Sequence, residues 1–91
     1  MITLNDIKQA KEKLDGVIQK TPLTYAPILS EELNSNIYIK KENLQITGSF
    51  KIRGAFNKLD SLSQSQKDAG VVAASAGNHA QGLAFSAKHF N

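Results

Sequence analysis

The sequence has no cysteine and no tryptophan among its 91 residues, and it has only two prolines. The lack of cysteine excludes disulfides, thiolate metal sites and a cysteine nucleophile. The formal net charge is only +3, and no run of Lys and Arg forms the stripe that would suit a nucleic acid. No apolar stretch has the length of a signal-peptide core or of a membrane span. We therefore expect a cytoplasmic protein with neither a nucleic acid nor a membrane as its partner.

The first half of the chain predicts two helices joined by a loop. Thr3 and Asp6 have the spacing of a capping box, and apolar residues follow at helical intervals, which predicts a first helix that ends near Gly16. Pro27 suits the first turn of a short second helix that runs to about Asn34, because this position needs no backbone donor. The residues between these two helices are predicted to form a loop.

The second half alternates strand and helix patterns. NIYIKKE, residues 36–42, alternates apolar and polar positions and predicts a strand, and the apolar spacing over 52–62 predicts a helix. VVAA, residues 71–74, is a continuous apolar run typical of a strand covered on both faces, and a small-residue helix is predicted over 79–90. This order of elements predicts an α/β fold that starts an open parallel sheet with flanking helices.

Such a sheet is incomplete in this chain. Two parallel strands do not make an independently stable sheet, because their outer edges and faces lack partners. A chain of 91 residues is long enough for one small domain but not for two. We expect residues 1–91 to be the N-terminal part of a larger catalytic domain, whose remainder is absent from this chain.

The stretch SAGNHAQG, residues 75–82, follows the predicted strand directly and opens a helix. Ligands bind outside the carboxyl ends of strands in open α/β sheets, and the first N–H groups of a helix are unpaired donors in a partly positive field. Gly77 allows close approach of a ligand, while Ser75 and Asn78 add a hydroxyl and an amide. The pattern predicts a site for a carboxylate or phosphate, although it lacks the lysine of a P-loop. A simple tight turn is the alternative.

Lys51 lies in GSFKIRGAF, residues 48–56, on the flank of the apolar stripe of its helix. It falls in the first helical turn, where the positive end of the macrodipole disfavours an ammonium, and partial burial would act in the same direction. A neutral amine is what attack on a carbonyl requires. The alternative is a lysine whose stem packs while its charged end reaches water.

These stretches resemble a known family. KKENLQITGSFKIRGAFNKL, residues 40–59, followed by VVAASAGNHAQG, residues 71–82, is similar to the N-terminal region of the threonine dehydratases, or threonine ammonia-lyases. The family belongs to the tryptophan-synthase-β-like group of pyridoxal 5'-phosphate enzymes, fold type II. The resemblance runs through nearly the whole chain, and the pair of motifs is highly specific.

The resemblance implies a role for each residue of the two motifs. Lys51 would hold pyridoxal phosphate covalently and would remove the Cα proton of the substrate, and Phe50 would pack beside the cofactor ring. Asn78 would bond the 3′-oxygen of that ring. The backbone N–H groups of the loop would bind the substrate carboxylate, and the loop comprises Ser75, Gly77, Asn78 and His79.

The implied reaction is β-elimination from L-threonine to 2-oxobutanoate and ammonia, or from L-serine to pyruvate. Serine racemases are similar but carry a second serine where this chain has Ala76, so dehydration is favoured over racemisation. The parent enzyme would be a homo-oligomer acting on a small amino acid, in isoleucine biosynthesis or in threonine breakdown. The phosphate-binding cup would lie downstream, so these 91 residues alone are expected to be inactive. A non-catalytic remnant and a generic anion-binding protein are the remaining alternatives.

The other polar and aromatic residues are expected to be structural. His79 and His89 are ten residues apart without cysteine or paired carboxylates nearby, so we expect no metal site. Arg53 and Lys58 are expected at the surface or at subunit contacts. Two further residues, Tyr25 and Tyr38, are expected to be packed aromatics.

Overall fold

Helices dominate the structure, a computed structural model that describes residues 1–90. A single two-stranded sheet accompanies them within these residues. The elements are α1 (Leu4–Leu14), β1 (Leu23–Tyr25), α2 (Pro27–Glu32), β2 (Tyr38–Lys40), a 3₁₀ turn (Glu42–Leu44), α3 (Lys51–Asp60), α4 (Gln64–Asp68) and α5 (Asn78–Phe90).

Helix α1 begins with the predicted capping box. The Thr3 Oγ1 accepts a hydrogen bond from the Asp6 N–H at 3.3 Å, and the Asp6 carboxylate accepts one from the Thr3 N–H at 2.7 Å. The hydrogen bonds from the Thr3 backbone and side chain lower the pKa of Asp6. Gly16, with a φ of +74°, follows the last turn in the left-handed region, which glycine adopts without steric cost. Both predicted ends of this helix are therefore confirmed.

The sheet is an antiparallel pair of β1 and β2, with Thr24 opposite Ile39. The predicted strand over 36–42 is confirmed in its central three residues, whereas the partner strand lies in the segment that was predicted to be a loop. Tyr25 and Tyr38 face each other across the pair, with ring centroids 5.4 Å apart and edge-to-face geometry. Helix α2 connects the two strands and begins at Pro27, as predicted.

No strand forms over residues 71–74, so the predicted parallel pairing is wrong within residues 1–90. Val72 is 99% exposed. A strand requires a neighbouring backbone for its N–H and C=O groups, and the described chain places none beside this segment. The apolar character of the run identifies a segment suited to burial, but the residues that would bury it are not among those described.

Helix α4 is an element that the sequence analysis missed. Ser63 caps it, since its Oγ accepts the Gln66 N–H at 3.3 Å and the Gln66 side chain accepts the Ser63 N–H at 2.9 Å. This reciprocal pair repeats the arrangement at the start of α1. The Ser-x-x-Gln spacing was available in the sequence as a helix-start signal.

The core lies between α3 and α5, the two best-predicted helices. The buried face of α3 consists of Ile52, Ala55, Phe56 and Leu59. Helix α5 presents small residues to it, and the fully buried Ser86 hydroxyl donates to the Gly82 carbonyl at 2.7 Å. Burial of each large apolar side chain contributes about 1.5–3 kcal/mol. This interface fixes how the two candidate site stretches, which open α3 and α5, lie relative to each other.

Large apolar side chains also remain on the surface of the described chain. Ile2 is 78% exposed, Ile28 is 72% exposed and Leu23 is 64% exposed. None of the helices formed by residues 1–90 combines the length and apolar character needed to cross a bilayer.

Candidate active site

Lys51 is the first residue of α3, and the preceding turn fixes its backbone. Gly48, with a φ of +68°, turns the chain in the left-handed region and donates its N–H to the Gln45 carbonyl at 2.8 Å. The hydroxyl of the buried Ser49 accepts the Lys51 N–H at 3.4 Å. These hydrogen bonds fix the backbone position from which the side chain of Lys51 extends.

The side chain of Lys51 is exposed, which corrects the expectation of partial burial. Its Nζ lies 5.4 Å from the ring centroid of Phe50, which is itself 59% exposed. A cation over an aromatic face at this distance is stabilised by about 0.5–1 kcal/mol at an exposed site. The amine and the ring therefore share one open surface at the start of α3.

Arg53 was expected at the surface or at a subunit contact, but its side chain is half-buried and pairs within the chain. Its Nε and Nη2 donate to the two carboxylate oxygens of Glu42 at 2.9 and 2.8 Å, and the Thr21 hydroxyl donates to the same carboxylate. The hydrogen bond from Arg53, with that from Thr21 and the positive charges of Arg53 and Lys40, lowers the pKa of Glu42 to about 2 against the effect of burial. The pair connects the first turn of α3 to the 3₁₀ turn and to the loop after α1.

A second connection runs through the buried side chain of Gln45. Its Oε1 accepts the N–H groups of Gln19 and Ile46, each at 3.0 Å, and its Nε2 donates to the Gln19 carbonyl at 3.0 Å. One amide therefore satisfies both backbone groups of a residue 26 positions away. The loop after α1 and the segment leading to Lys51 are joined at this point.

The start of α5 is organised by Ser75. Its Oγ accepts hydrogen bonds from the N–H groups of Gly77 and Ala80, both at 3.3 Å. The Gly77 carbonyl accepts the N–H of Gln81 at 3.2 Å, which begins the helical ladder. Ser75 thus occupies one of the donors that the sequence analysis assigned to an anion, and its hydroxyl faces the helix start.

Asn78 and His79 are the first two residues of α5, and both are exposed. Backbone N–H groups in the first turn of a helix have no acceptor within that helix, and the macrodipole makes this end partly positive. Apart from Gly77 and its two neighbours in the chain, no atom of residues 1–90 lies within 4 Å of the position that a Cβ on Gly77 would take. The turn therefore presents open donors beside open space, which suits an anionic guest.

The two candidate stretches meet through Gly82. A Cβ placed there would lie 3.0 Å from the Ile52 nitrogen and 3.1 Å from the Lys51 carbonyl carbon. The second turn of α5 thus rests on the backbone of the first turn of α3. The structure brings the segment that carries Asn78 next to the segment that carries Lys51, and the motif order alone did not reveal this contact.

The remaining candidates lie apart from this surface. His89 packs edge-to-face on Phe56, with centroids 4.9 Å apart, and contacts Phe90. Lys58 is exposed on α3. Within residues 1–90 no three His, Cys, Asp or Glu side chains are grouped so that they could hold a metal ion.

Comparison with known proteins identifies the family. Residues 14–91 match the family described as Pyridoxal-phosphate dependent enzyme. The chain is 58% identical over 90 residues to the L-threonine ammonia-lyase of Thermotoga maritima, covering 99% of this chain and 22% of that protein. It is 53% identical over 88 residues to the L-threonine dehydratase biosynthetic IlvA of Corynebacterium glutamicum, covering 97% of this chain and 20% of that protein.

The fold of the chain is also similar to that of a solved structure. The serine racemase from Dictyostelium discoideum superposes with a TM-score of 0.88 at 43% identity, covering 97% of this chain and 29% of that one. The fold is that of the fold type II class of enzymes, to which the sequence analysis assigned it. The chain belongs to the pyridoxal-phosphate-dependent enzyme family, and it spans about a fifth of the length of the curated relatives it matches.

Proposed function

We propose that the intact protein is a lyase that releases ammonia from L-threonine, and that residues 1–91 form the N-terminal part of its catalytic domain. The observation that carries the proposal is the contact of Gly82 with the backbone of Lys51 and Ile52. It places an exposed amine and a helix start with open N–H donors on neighbouring segments. The relatives that match nearly the whole chain carry the names of threonine ammonia-lyase and threonine dehydratase, which supports this substrate.

The residues present fit part of a pyridoxal phosphate site. The amine of Lys51 is exposed and so can reach the aldehyde carbon of the cofactor. Phe50 offers an exposed aromatic face beside that amine, and Asn78 offers a side-chain amide at the start of α5. When bound, the cofactor supplies an electron sink that makes the Cα proton of an amino acid acidic. We assign no phosphate-binding loop of the cofactor to residues 1–90, because the family resemblance places that loop further along the chain.

The chain itself would contribute two actions to the elimination. The Lys51 amine accepts the proton that leaves Cα, because a positioned base raises the rate of such a transfer. Within the turn formed by Ser75, Gly77, Asn78 and His79, the Ser75 hydroxyl already holds the Gly77 N–H. The N–H groups of Asn78 and His79 therefore bind the substrate carboxylate and fix which bond is broken. The β-hydroxyl takes up the proton that left Cα and departs as water. One water then hydrolyses the resulting enamine to 2-oxobutanoate and ammonia, or to pyruvate and ammonia when L-serine is the substrate.

Serine racemisation is the second candidate, and the superposition with a serine racemase favours considering it. Racemisation requires a proton donor on the face opposite Lys51. Ala76 has no exchangeable proton, so the residue directly after Ser75 cannot take this part. Chiral analysis of serine after incubation separates the two activities, and dehydration predicts pyruvate without D-serine.

We further propose that the intact protein acts in the cytoplasm, as a homo-oligomer, on free amino acids. The name of the Corynebacterium relative supports a place in biosynthesis, in the route to isoleucine, whereas a Staphylococcus aureus relative carries the name L-threonine dehydratase catabolic TdcB, which supports threonine breakdown.

The test is covalent capture of pyridoxal phosphate by the intact protein. Borohydride reduction makes the bond between lysine and pyridoxal permanent, and mass spectrometry finds which lysine carries it, including the ten of residues 1–91. We expect the label on Lys51, ammonia release from threonine, and loss of both in Lys51→Ala. Lys58→Ala, an exposed lysine of the same helix, is the matched control and should retain both. Undiminished turnover by Lys51→Ala would contradict the proposal.

A further inference from the structure

Helix α5 approaches α3 most closely at Gly82, and there it meets main-chain atoms. The three atoms nearest to a Cβ at this position would be the Ile52 nitrogen at 3.0 Å, the Lys51 carbonyl carbon at 3.1 Å and the Ile52 Cα at 3.2 Å. A flexible side chain could rotate away from such a Cβ, but a backbone in the first turn of a helix cannot. The contact distance is therefore set by the absence of a side chain on Gly82.

The backbone on the other side of this contact is held independently. The Ser49 hydroxyl accepts the Lys51 N–H at 3.4 Å, and Arg53 in the same turn is bound by both oxygens of Glu42. Any displacement caused by a larger residue at position 82 must therefore move α5 away from α3 rather than be absorbed by the start of α3. Gly82 lies at the point where the two helices are fitted to each other.

Asn78 lies four residues before Gly82 on the same helix, about 6 Å along its axis. A shift of α5 at Gly82 thus moves the Asn78 turn relative to the Lys51 amine. Displacements of about 1 Å between reacting groups lower rates by up to about 100-fold. Ser86, one turn further along the same face, is also buried, and its hydroxyl donates to the Gly82 carbonyl of its own helix.

We infer that Gly82 is a positioning residue, whose lack of a side chain sets the separation between the Lys51 amine and the Asn78 turn. The inference rests on the proposed function, because the separation matters only if both groups serve one bound cofactor or substrate. It predicts that a single methyl group at position 82 lowers the reactivity of Lys51 while the chain stays folded.

The experiment compares Gly82→Ala with Gly54→Ala in the intact protein. Gly54 makes the matched control, since it is also helical and nothing lies within 4 Å of the Cβ that the change adds. Ser86→Ala is the control for loosened packing, because it removes a buried hydrogen bond on the same face of α5. The readout is the rate of pyridoxyl labelling at Lys51 relative to Lys58, per folded molecule as judged by circular dichroism.

We expect Gly82→Ala to lower the Lys51 labelling rate by about fivefold or more, with the Lys58 rate unchanged. Gly54→Ala and Ser86→Ala should stay within about twofold of the parent, even if Ser86→Ala lowers the melting temperature. Equal loss in Gly82→Ala and in Ser86→Ala at matched stability would make Gly82 merely structural and overturn the inference. The inference would also be overturned if Gly82→Ala unfolds even with a stabilising osmolyte, because it requires only a small displacement of α5 relative to α3. Absence of Lys51 labelling in the parent would instead refute the proposed function.

Discussion

Replacing Glu42 by Gln should weaken the connection between the start of α3 and the loop after α1 without changing the size of the side chain. The carboxylate now receives the Nε and Nη2 donors of Arg53 and the hydroxyl of Thr21. An amide offers only one oxygen, and its NH₂ group would face the donors of the guanidinium. The variant therefore leaves at least one charged donor of Arg53 without its acceptor.

The expected loss of stability follows from how far the pair is exposed. The Arg53 side chain is 34% exposed and that of Glu42 is 15% exposed. Breaking a fully buried pair costs about 3–5 kcal/mol, whereas an exposed pair contributes about 0–1 kcal/mol. After allowance for screening by solvent at Arg53, we expect Glu42→Gln to lower the free energy of unfolding by about 2 kcal/mol.

The same reasoning predicts how the stability difference between the parent and Glu42→Gln changes with pH. The pKa of Glu42 is lowered in the folded chain from 4.5 to about 2, first by the hydrogen bond from Arg53. A lowered pKa stabilises the fold above the unfolded value and loses that contribution as the pH falls through the folded value. The stability difference between parent and Glu42→Gln should therefore be full above pH 4.5 and shrink towards pH 2. Asp6, whose pKa is also lowered, affects both proteins equally and cancels.

The assay is urea unfolding followed by circular dichroism at several pH values between 2 and 7 (about two per unit). Glu31→Gln is the matched control, because Glu31 is exposed on α2 and its change should stay within about 0.5 kcal/mol. A Glu42→Gln loss below about 0.5 kcal/mol, or a difference that does not vary below pH 4.5, would refute the reasoning about the pair.

Two further substitutions test the fold around the site. Thr3→Ala should lower the free energy of unfolding by about 1 kcal/mol, because it removes the N-cap of α1. Thr3→Ser keeps the hydroxyl and should keep the stability of the parent. The prediction would be contradicted if Thr3→Ala leaves amide exchange in the first turn of α1 unchanged. Ile52→Ala should cost about 2–5 kcal/mol, because the side chain is fully buried between α3 and α5. Ile28→Ala, at a residue 72% exposed, should cost under about 0.5 kcal/mol, and equal losses at the two positions would disprove the assignment of the core.

The helices were predictable because their signals are local. A capping box relates two residues three positions apart, and an apolar face recurs every three or four positions, so a sequence displays both directly. Thr3 with Asp6 and Pro27 at the start of α2 were read in this way, and the structure confirms them. Ser63 with Gln66 carried the same signal before α4 and was overlooked within a polar stretch.

The sheet was not predictable in the same way, since pairing joins distant segments. Leu23–Tyr25 is three residues long and gives no periodic pattern, yet it forms the partner of β2 across the intervening helix α2. The run over 71–74 had the composition of a buried strand but has no sheet partner among residues 1–90. Composition indicates what a segment is suited to, whereas strand formation depends on which backbone lies beside it.

The residues of the candidate site were predictable from local motifs, whereas their contacts were not. Lys51 and Asn78 were identified from motifs in the sequence, and their roles remain predictions. The exposure of Lys51 and the pairing of Arg53 with Glu42, 11 positions away, depend on how the chain folds back. The contact of Gly82 with the Lys51 backbone depends on the same folding, because a glycine within a helix has no signal that names the atoms it will touch.

The Gln45 amide has a consequence for chemical ageing of the protein. The side chain of Gln45 pairs with the main chain of Gln19 as a neighbouring strand would, since it donates to the Gln19 carbonyl and accepts from the Gln19 N–H. Hydrolysis to a carboxylate would preserve the shape but remove the donor, and two oxygens would then face each other at the Gln19 carbonyl. This exchange of an NH₂ group for an oxygen changes the size of the protein too little for a size-based assay to detect. It would nevertheless release the segment that leads to Lys51 from the loop after α1.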